Sequence, residues 1–316
     1  VPDGYLTPHG AAAITLLAQF DRTLLSPAPG CPDISIYADV DERTLATGAA
    51  YAAGFAPGCN VAVAHAPTAT DPLFSPPDTV DNNAAMPAMA QALAAALTAP
   101  DTASLLSDMQ AVLDPHSKRF VAQPETVSLS KKPGNLPKLQ GPLAQGASLS
   151  EIFLLEYLDG KQAAFGRAGL PQILQLLALH PLAYTVTARP PIIAAATARL
   201  LAQRIAAALA TGPALTVLVG HDTNQAELGG LLNLHWHLAG YPADDPPPGG
   251  GFIFRLLADS AGHQFVTVTY QVQTPEAIRN LKKTPPAMES LPIPACGNSA
   301  SPTACTLQNF QQLTGP

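Results

Sequence analysis

The run Val217-Leu218-Val219-Gly220-His221-Asp222-Thr223-Asn224 narrows what this chain can fold into more than any other stretch. An apolar segment rich in β-branched residues stops at a glycine. A His-Asp pair follows, and then polar residues able to cap a helix. A strand that carries such a pair to its C-terminal tip belongs to an open α/β sheet, where ligands bind outside the carboxyl ends of the strands. The flanking pattern agrees. Residues 34–38 read as a strand followed by a helix over 42–55, and residues 61–63 as another short strand. The middle is helical: residues 84–113 are rich in Ala, Leu and Met at helical spacing, with more helices expected around 150–158, 172–179 and 191–210. Strands return at 215–219, 252–257 and 264–273, the last marked by the alternating Val266-Thr267-Val268-Thr269-Tyr270. This order predicts an α/β domain of residues 1–76 and 190–316, with a mainly helical domain, 77–189, inserted in it.

Composition removes several functions. Lys and Arg number 16 against 23 Asp and Glu, and charged residues are 12% of the chain. Nucleic acid needs a clustered basic surface and a polybasic membrane anchor needs a basic tract, so neither partner is expected. An anionic ligand must be held by a few well-placed cations. No uninterrupted apolar run reaches the ~18 residues of a membrane span. The 33 prolines concentrate in connecting stretches such as 67–77, 133–142 and 242–248, and residues 131–142 read as a surface loop. Four cysteines fall into two local pairs, Cys31 with Cys59 and Cys296 with Cys305, 28 and 9 residues apart. They lack C-x-x-C or Cys/His zinc spacing, so no metal is expected. Two disulfides in an oxidising compartment fit better than four buried thiols. The turn-rich Gly297-Asn298-Ser299-Ala300-Ser301-Pro302 favours a bridged loop at the second pair.

Two segments carry candidate chemistry. In Asp39-Val40-Asp41-Glu42-Arg43-Thr44, Asp39 or Asp41 can cap the helix that follows, placing Arg43 in its first turn. A helix N-terminus favours an anion, and an arginine there adds a planar fork that fits two phosphate oxygens. An ordinary helix whose Arg43 pairs with a neighbouring acid is the alternative. At the second segment Asp222 can protonate a departing alkoxide while His221 donates to a transferring phosphoryl group. Asp222 or Thr223 serving only as a cap is the alternative there. An aspartic acid of ordinary pKa, about 4, acts as a general acid only at low pH. His235-Trp236-His237, read as a strand, would put two histidines on one face, without a third ligand. G-x-S-x-G, Walker A, G-x-G-x-x-G and H-E-x-x-H motifs do not occur.

Gly220-His221-Asp222-Thr223-Asn224, followed by Leu228-Gly229-Gly230, resembles the C-terminal motif of the histidine acid phosphatases, in their bacterial phytase and glucose-1-phosphatase-like branch. Residues 39–44 with Thr47-Gly48, Asp71-Pro72-Leu73-Phe74, Glu151-Ile152-Phe153-Leu154-Leu155 and Pro247-Pro248-Gly249-Gly250 are similar too, so the resemblance spans nearly the whole chain. It implies a histidine-phosphatase-like (phosphoglycerate-mutase-like) three-layer α/β/α domain with an inserted α-helical domain. Disulfides Cys31–Cys59 and Cys296–Cys305 are implied as well, in a monomer that is periplasmic or secreted. The implied activity is acid hydrolysis of a small phosphomonoester, phytate or a sugar phosphate, through a phosphohistidine and without cofactor or metal.

By position, Arg43 becomes the phosphate clamp, His221 a phosphoryl stabiliser and Asp222 the proton donor. Thr223, Asp39, Glu151 and His180 are placed around the substrate. For Glu151 the competing reading is structural, because Ser148-Leu149-Ser150-Glu151 also spells a capping box. For His180 it is the usual structural role of a helix-end histidine. The implied nucleophile is a histidine in R-H-G-x-R-x-P, and none of the eight histidines stands in one. His9 is a decoy with no arginine around it. An N-terminally truncated, impaired chain is therefore expected, with a catalytically inactive phosphate-ligand binding member as the alternative. Ala195 and Thr197 stand where close phytase relatives carry arginine, which favours a broader phosphomonoesterase or a sugar phosphatase.

Overall fold

The computed structural model describes residues 1–25, 30–76, 80–130, 136–296 and 303–315. Helix α1 (Pro8–Leu25) leads to strand β1 (Ile34–Ala38), helix α2 (Glu42–Phe55) and the short strand β2 (Val63–Ala64). Then come α3 (Asn82–Thr98), α4 (Thr102–Leu113), β3 (Thr126–Ser128), β4 (Lys138–Gln140), α5 (Pro142–Leu158), α6 (Leu170–Leu177) and α7 (Leu179–Thr187). The chain closes with α8 (Pro191–Thr197), α9 (Arg199–Thr211), β5 (Leu215–Val219), α10 (Asp222–Leu231), β6 (Gly251–Ala258), β7 (Gln264–Val272), α11 (Pro275–Arg279), β8 (Ala287–Leu291), β9 (Ala304–Thr306) and α12 (Leu307–Thr314). Among the described residues no single helix is long and apolar enough to cross a membrane.

Two sheets organise the α/β part. In the first, of order β2-β1-β5, every pairing is parallel, and β1 matches β5 residue for residue from Ile34↔Leu215 to Ala38↔Val219. Parallel neighbours need long crossovers, and the whole helical middle of the chain lies within the one that ends at β5. In the second sheet β6, β7 and β8 run antiparallel in that order, and β9 also pairs with β7. Among the described residues β5 pairs only with β1 and β6 only with β7. The two sheets are tied instead through helices. Gln271 of β7 donates to buried Asp21 of α1 at 3.1 Å, and the Tyr270 hydroxyl donates to Gln225 of α10 at 2.7 Å.

One apolar core runs from Met89, Leu143, Leu154 and Leu176 in the helical segment through Trp236 to Tyr270 and Phe310. A smaller cluster of Ala18, Phe55 and Ala56 sits between α1 and α2. Trp236 stacks on Tyr270 at 4.7 Å and meets Phe252 edge-on at 5.2 Å. Cys31–Cys59 and Cys296–Cys305 are both bonded. The turn-rich stretch 297–302 lies outside the described residues, as do 77–79 and 131–135 of the connecting stretches.

The helical middle departs from its sequence pattern at several points, two of them set by proline. Helix α5 begins at Pro142, eight residues before position 150, because proline suits the first helical position where its missing N–H is not needed. Glu125 completes that start by accepting from the Leu143 N–H at 2.6 Å. Around 172–179 two helices appear, and α7 carries Pro181 in its first turn, where the ring is tolerated. The stretch 84–113 is broken at 99–101, and 191–210 at Ala198. His235-Trp236-His237 is not a strand but irregular chain, so the two imidazoles share no sheet face.

At Gly54, α2 lies directly against α1. A Cβ there would lie 2.8 Å from Ala18 Cβ and fall on the Thr15 carbonyl oxygen. Alanine is favoured over glycine in a helix by about 1 kcal/mol, whereas overpacking a tight contact costs about 1–3 kcal/mol. Backbone cannot rotate aside, so the second effect should win. Gly54→Ala is expected to lower the midpoint of chemical denaturation; a raised midpoint would mean that α1 can slide freely on α2.

Candidate active site

Because β1 and β5 end at the same level, the chain leaves both strands side by side, and the Asp39 N–H still donates to the Val219 carbonyl at 2.9 Å. Each strand then turns directly into a helix, so the N-termini of α2 and α10 open onto one spot. Asp41 is the N-cap residue of α2, but its carboxylate does not cap; it pairs with Arg43 Nη2 at 2.8 Å. Asp39, only 4% exposed, accepts from the Val40 N–H on one oxygen and bonds His221 Nε2 on the other at 2.8 Å. Arg43 Nη2 lies 3.1 Å from His221 Nδ1. A guanidinium can only donate, so Nδ1 is the acceptor and the imidazole proton sits on Nε2, facing Asp39.

His221, not Asp222 or Thr223, is the N-cap residue of α10. The Asn224 side chain reaches back to accept from the His221 N–H at 2.9 Å, and its amide donates to the Phe74 carbonyl at 2.7 Å. Asp71 accepts from the Tyr37 hydroxyl at 2.8 Å. The Asp71-Pro72-Leu73-Phe74 segment thereby braces the strand tips.

A second group of side chains closes the other flank. Asp222 Oδ2 accepts from the Tyr184 hydroxyl at 2.7 Å and lies 3.3 Å from His180 Nε2. Its Oδ1 accepts from the Thr223 N–H at 2.7 Å, and the Thr223 hydroxyl bonds Tyr184. His180 Nδ1 bonds Asp245 Oδ1 at 2.8 Å, while Glu151 Oε2 is 3.9 Å from Nε2. Burial alone would push His180 down, but the carboxylates of Asp222, Asp245 and Glu151 outweigh it and bring it to about 10. Burial would likewise raise Asp222; hydrogen bonds from His180 and Tyr184 prevail and hold it at about 2. Burial pushes Glu151 up, helped by the Asp222 charge. Glu227, 7% exposed on the inner side of α10, is pushed to about 7 by burial.

The structure thus brings Arg43, Asp39, His221, Asp222, Thr223, His180 and Glu151 together. Two local readings are corrected. Ser148-Leu149-Ser150-Glu151 lies inside α5, where the Ser148 and Ser150 hydroxyls donate to the Ala144 and Ala147 carbonyls, so it is not a capping box. His180 is a member of the cluster, not a bystander at a helix end. His9 bonds the Ile278 carbonyl, and His235 pairs with Asp244 at 2.7 Å. Tyr184 and Asp245 escaped the sequence reading. Asp245 precedes the Pro247-Pro248-Gly249-Gly250 motif and was detectable only as a neighbour of it.

Three ligand atoms converge at Asp39, Asp41 and His221 and again at Glu151, His180 and Asp222. A cation fits neither well, since His180 carries a proton on both nitrogens and Arg43 occupies the His221 lone pair. Among the described residues no lysine and no other arginine bonds to these groups.

No family model matches the sequence. It is 32% identical to phytase AppA of Escherichia coli (strain K12), over 98% of this chain and 82% of that protein. It is 26% identical to a glucose-1-phosphatase of Salmonella typhimurium, over 99% of this chain and 83% of that one. The Hafnia alvei phytase in complex with tartrate superposes with a TM-score of 0.91 at 29% identity, covering 99% of this chain and 87% of the other. The phytase from Citrobacter braakii does so at 0.90 and 29%, over 99% and 88%.

The depressed Asp222 contributes stability that is full above 3.8 and lost as pH falls toward about 2. The raised His180 contributes stability that is full below 6.5 and lost as pH rises through about 10. The difference in melting temperature between the wild type and Asp222→Asn should therefore be widest between these limits and shrink at both ends. A difference independent of pH would show that the two side chains are not paired.

Proposed function

The chain belongs to the histidine acid phosphatase family, and on that premise we propose that this site binds and hydrolyses small phosphomonoesters, with Asp222 supplying the proton to the leaving oxygen. The observation that carries the reading is the convergence of two helix N-termini, Arg43 and the His221-Asp222 pair on one spot. A phosphate arriving there draws the half-exposed Arg43 away from Asp41, and Arg43 and His221 then face its oxygens. Attack on phosphorus by a histidine forms a P–N bond as the ester P–O bond breaks. The leaving oxygen takes a proton from Asp222, and water then hydrolyses the phosphohistidine. The reading assigns that attack to an R-H-G-x-R-x-P histidine, which is not among the 316 residues.

The charge around the site favours one phosphate over many. Among the described residues Asp39, Asp41, Glu151 and Glu227 stand beside one arginine, Arg43, and Thr197, where phytase relatives carry arginine, spends its hydroxyl on the Ile193 carbonyl. A sugar phosphate, whose neutral hydroxyls can bond Glu151, fits this balance better than a fully phosphorylated inositol. The two disulfides suit an oxidising compartment, so we place the protein in the periplasm or outside the cell. A second reading is a phosphate-ligand binding protein without turnover, which Arg43 and the two helix N-termini would serve equally well.

Calorimetry with inorganic phosphate tests the clamp: Arg43→Ala should weaken binding by about 10- to 100-fold, the loss of a charged bidentate contact. Turnover of a hexose phosphate and of phytate should then be compared for this chain and for one extended by an R-H-G-x-R-x-P segment. Turnover by the extended chain, with a trapped phosphohistidine, supports the enzyme. Phosphate binding without turnover in the extended chain sinks it and leaves the binding protein.

A further inference from the structure

We propose that Asp245 is a positioning residue for the leaving-group acid: it fixes His180 so that His180 Nε2 and Asp222 Oδ2 share one proton and act together as the donor. The proposal rests on the reading of Asp222 as that donor and concerns where its proton comes from.

Asp245 is held as few carboxylates are. It is fully buried, its backbone carbonyl accepts from the Trp236 indole N–H at 2.6 Å, and its N–H donates to the Pro242 carbonyl. Pro246, Pro247 and Pro248 follow, each with a restricted φ. Its Oδ1 bonds His180 Nδ1 at 2.8 Å, while its Oδ2 is buried with no hydrogen-bond partner among the described residues. Burial pushes the Asp245 carboxyl up, and the bond and charge of His180 act against that shift; among the described residues His180 is the only cation in contact with it. The ring is fixed at both ends, with Nδ1 on Asp245 and Nε2 toward Asp222 at 3.3 Å, and it meets the Tyr184 ring edge-on at 4.8 Å.

Acids face His180 from three elements, and β4, which also packs on α7, carries Lys138 without a bond to His180. Asp245 faces it from the loop before β6, Asp222 from α10 and Glu151 from α5, with Tyr184 on its own helix. Helix α3, which also packs on α7, contributes no titratable side chain. Beyond this shell Arg43 acts on Glu151, and Tyr241 and Tyr270 feel the Asp245 charge.

The arrangement answers a chemical difficulty. An aspartate held at about 2 is already ionised where an acid phosphatase works, so by itself it has no proton to give. In the pair it does. As the ester P–O bond breaks, its electrons pass to the leaving oxygen, which takes a proton through Asp222 while the Nε2–H bond of His180 breaks. The imidazolium becomes neutral imidazole, still donating from Nδ1 to Asp245. The water that later opens the phosphohistidine releases a proton, which returns to His180 by the same path. The donor then stays loaded until His180 itself deprotonates.

Nitrogen-15 NMR of the histidine-labelled chain tests this without turnover, with the His180 signals identified by their loss in His180→Gln. Both ring nitrogens should remain imidazolium to at least pH 8, and Asp245→Asn should move their titration down by a pH unit or more. Wild-type His180 titrating near 6.5 or lower would overturn the proposal, and so would a titration indifferent to Asp245→Asn in a variant that still melts cooperatively. In a turnover-competent form, Asp245→Asn should slow hydrolysis of an alkyl phosphate more than that of p-nitrophenyl phosphate, whose leaving group needs little acid help. The relative loss should grow as pH rises, with KM little changed. Equal slowing of both substrates at every pH would overturn the shared-proton donor. If no form turns over, the hydrolytic reading fails on its own evidence, while the NMR result still decides whether Asp245 governs His180.

Discussion

The parallel register of β1 with β5 is the constraint from which the site follows. Ala38 sits opposite Val219, and the Asp39 N–H bonds the Val219 carbonyl one residue beyond. A slip of one residue would turn every side chain on the strand to the other face, separating Asp39 from His221. With the register as it is, two helices start at one level and their free N–H groups face the same space. Neither helix N-terminus would suffice alone. Together with Arg43 they give a chain of net charge −7 a local place for an anion.

That place is hedged by acids, and the acids are held apart by histidines. His221 separates Arg43 from Asp39, and His180 separates Asp222 from Asp245. The two imidazoles differ in their partners. His221 meets a donor, Arg43, on one nitrogen and an acceptor, Asp39, on the other. His180 meets carboxylates on both, so it is charged. Adjacent residues of one strand-to-helix turn thereby point into two different electrostatic environments, one beside a guanidinium and the other beside a charged imidazole.

Much of this was legible in the sequence where the signal is local. The strand stopped by Gly220, the polar residues 39–44 ahead of α2 and the two cysteine pairs need only short stretches of chain to be read. The rest depends on distance or on proline. Tyr184 reaches Asp222 across 38 residues of sequence, and Asp245 reaches His180 across 65, and periodicity does not carry such pairings. Pro142 and Pro181 look like breaks, yet each sits in a first turn where proline is tolerated. Ser148-Leu149-Ser150-Glu151 misled for the opposite reason, since a capping pattern inside a helix already begun has no free N–H groups to satisfy. The helical character of the middle was readable from composition, whereas its breaks were not.

Three titrating groups at the site set the pH range in which the fold is most stable. Asp222 adds stability above 3.8 that is lost toward about 2, and His180 adds stability below 6.5 that is lost through about 10. Glu227 adds a third limit: its raised value makes its contribution full below 4.5 and lost as pH rises through about 7. Glu227 also accepts from the amide of Asn224, whose side chain holds the His221 N–H and the Phe74 carbonyl. The three contributions are all full only between pH 3.8 and 4.5. The upper limit on full stability is therefore set by the burial of Glu227, whereas the pairing of His180 keeps its own contribution to higher pH.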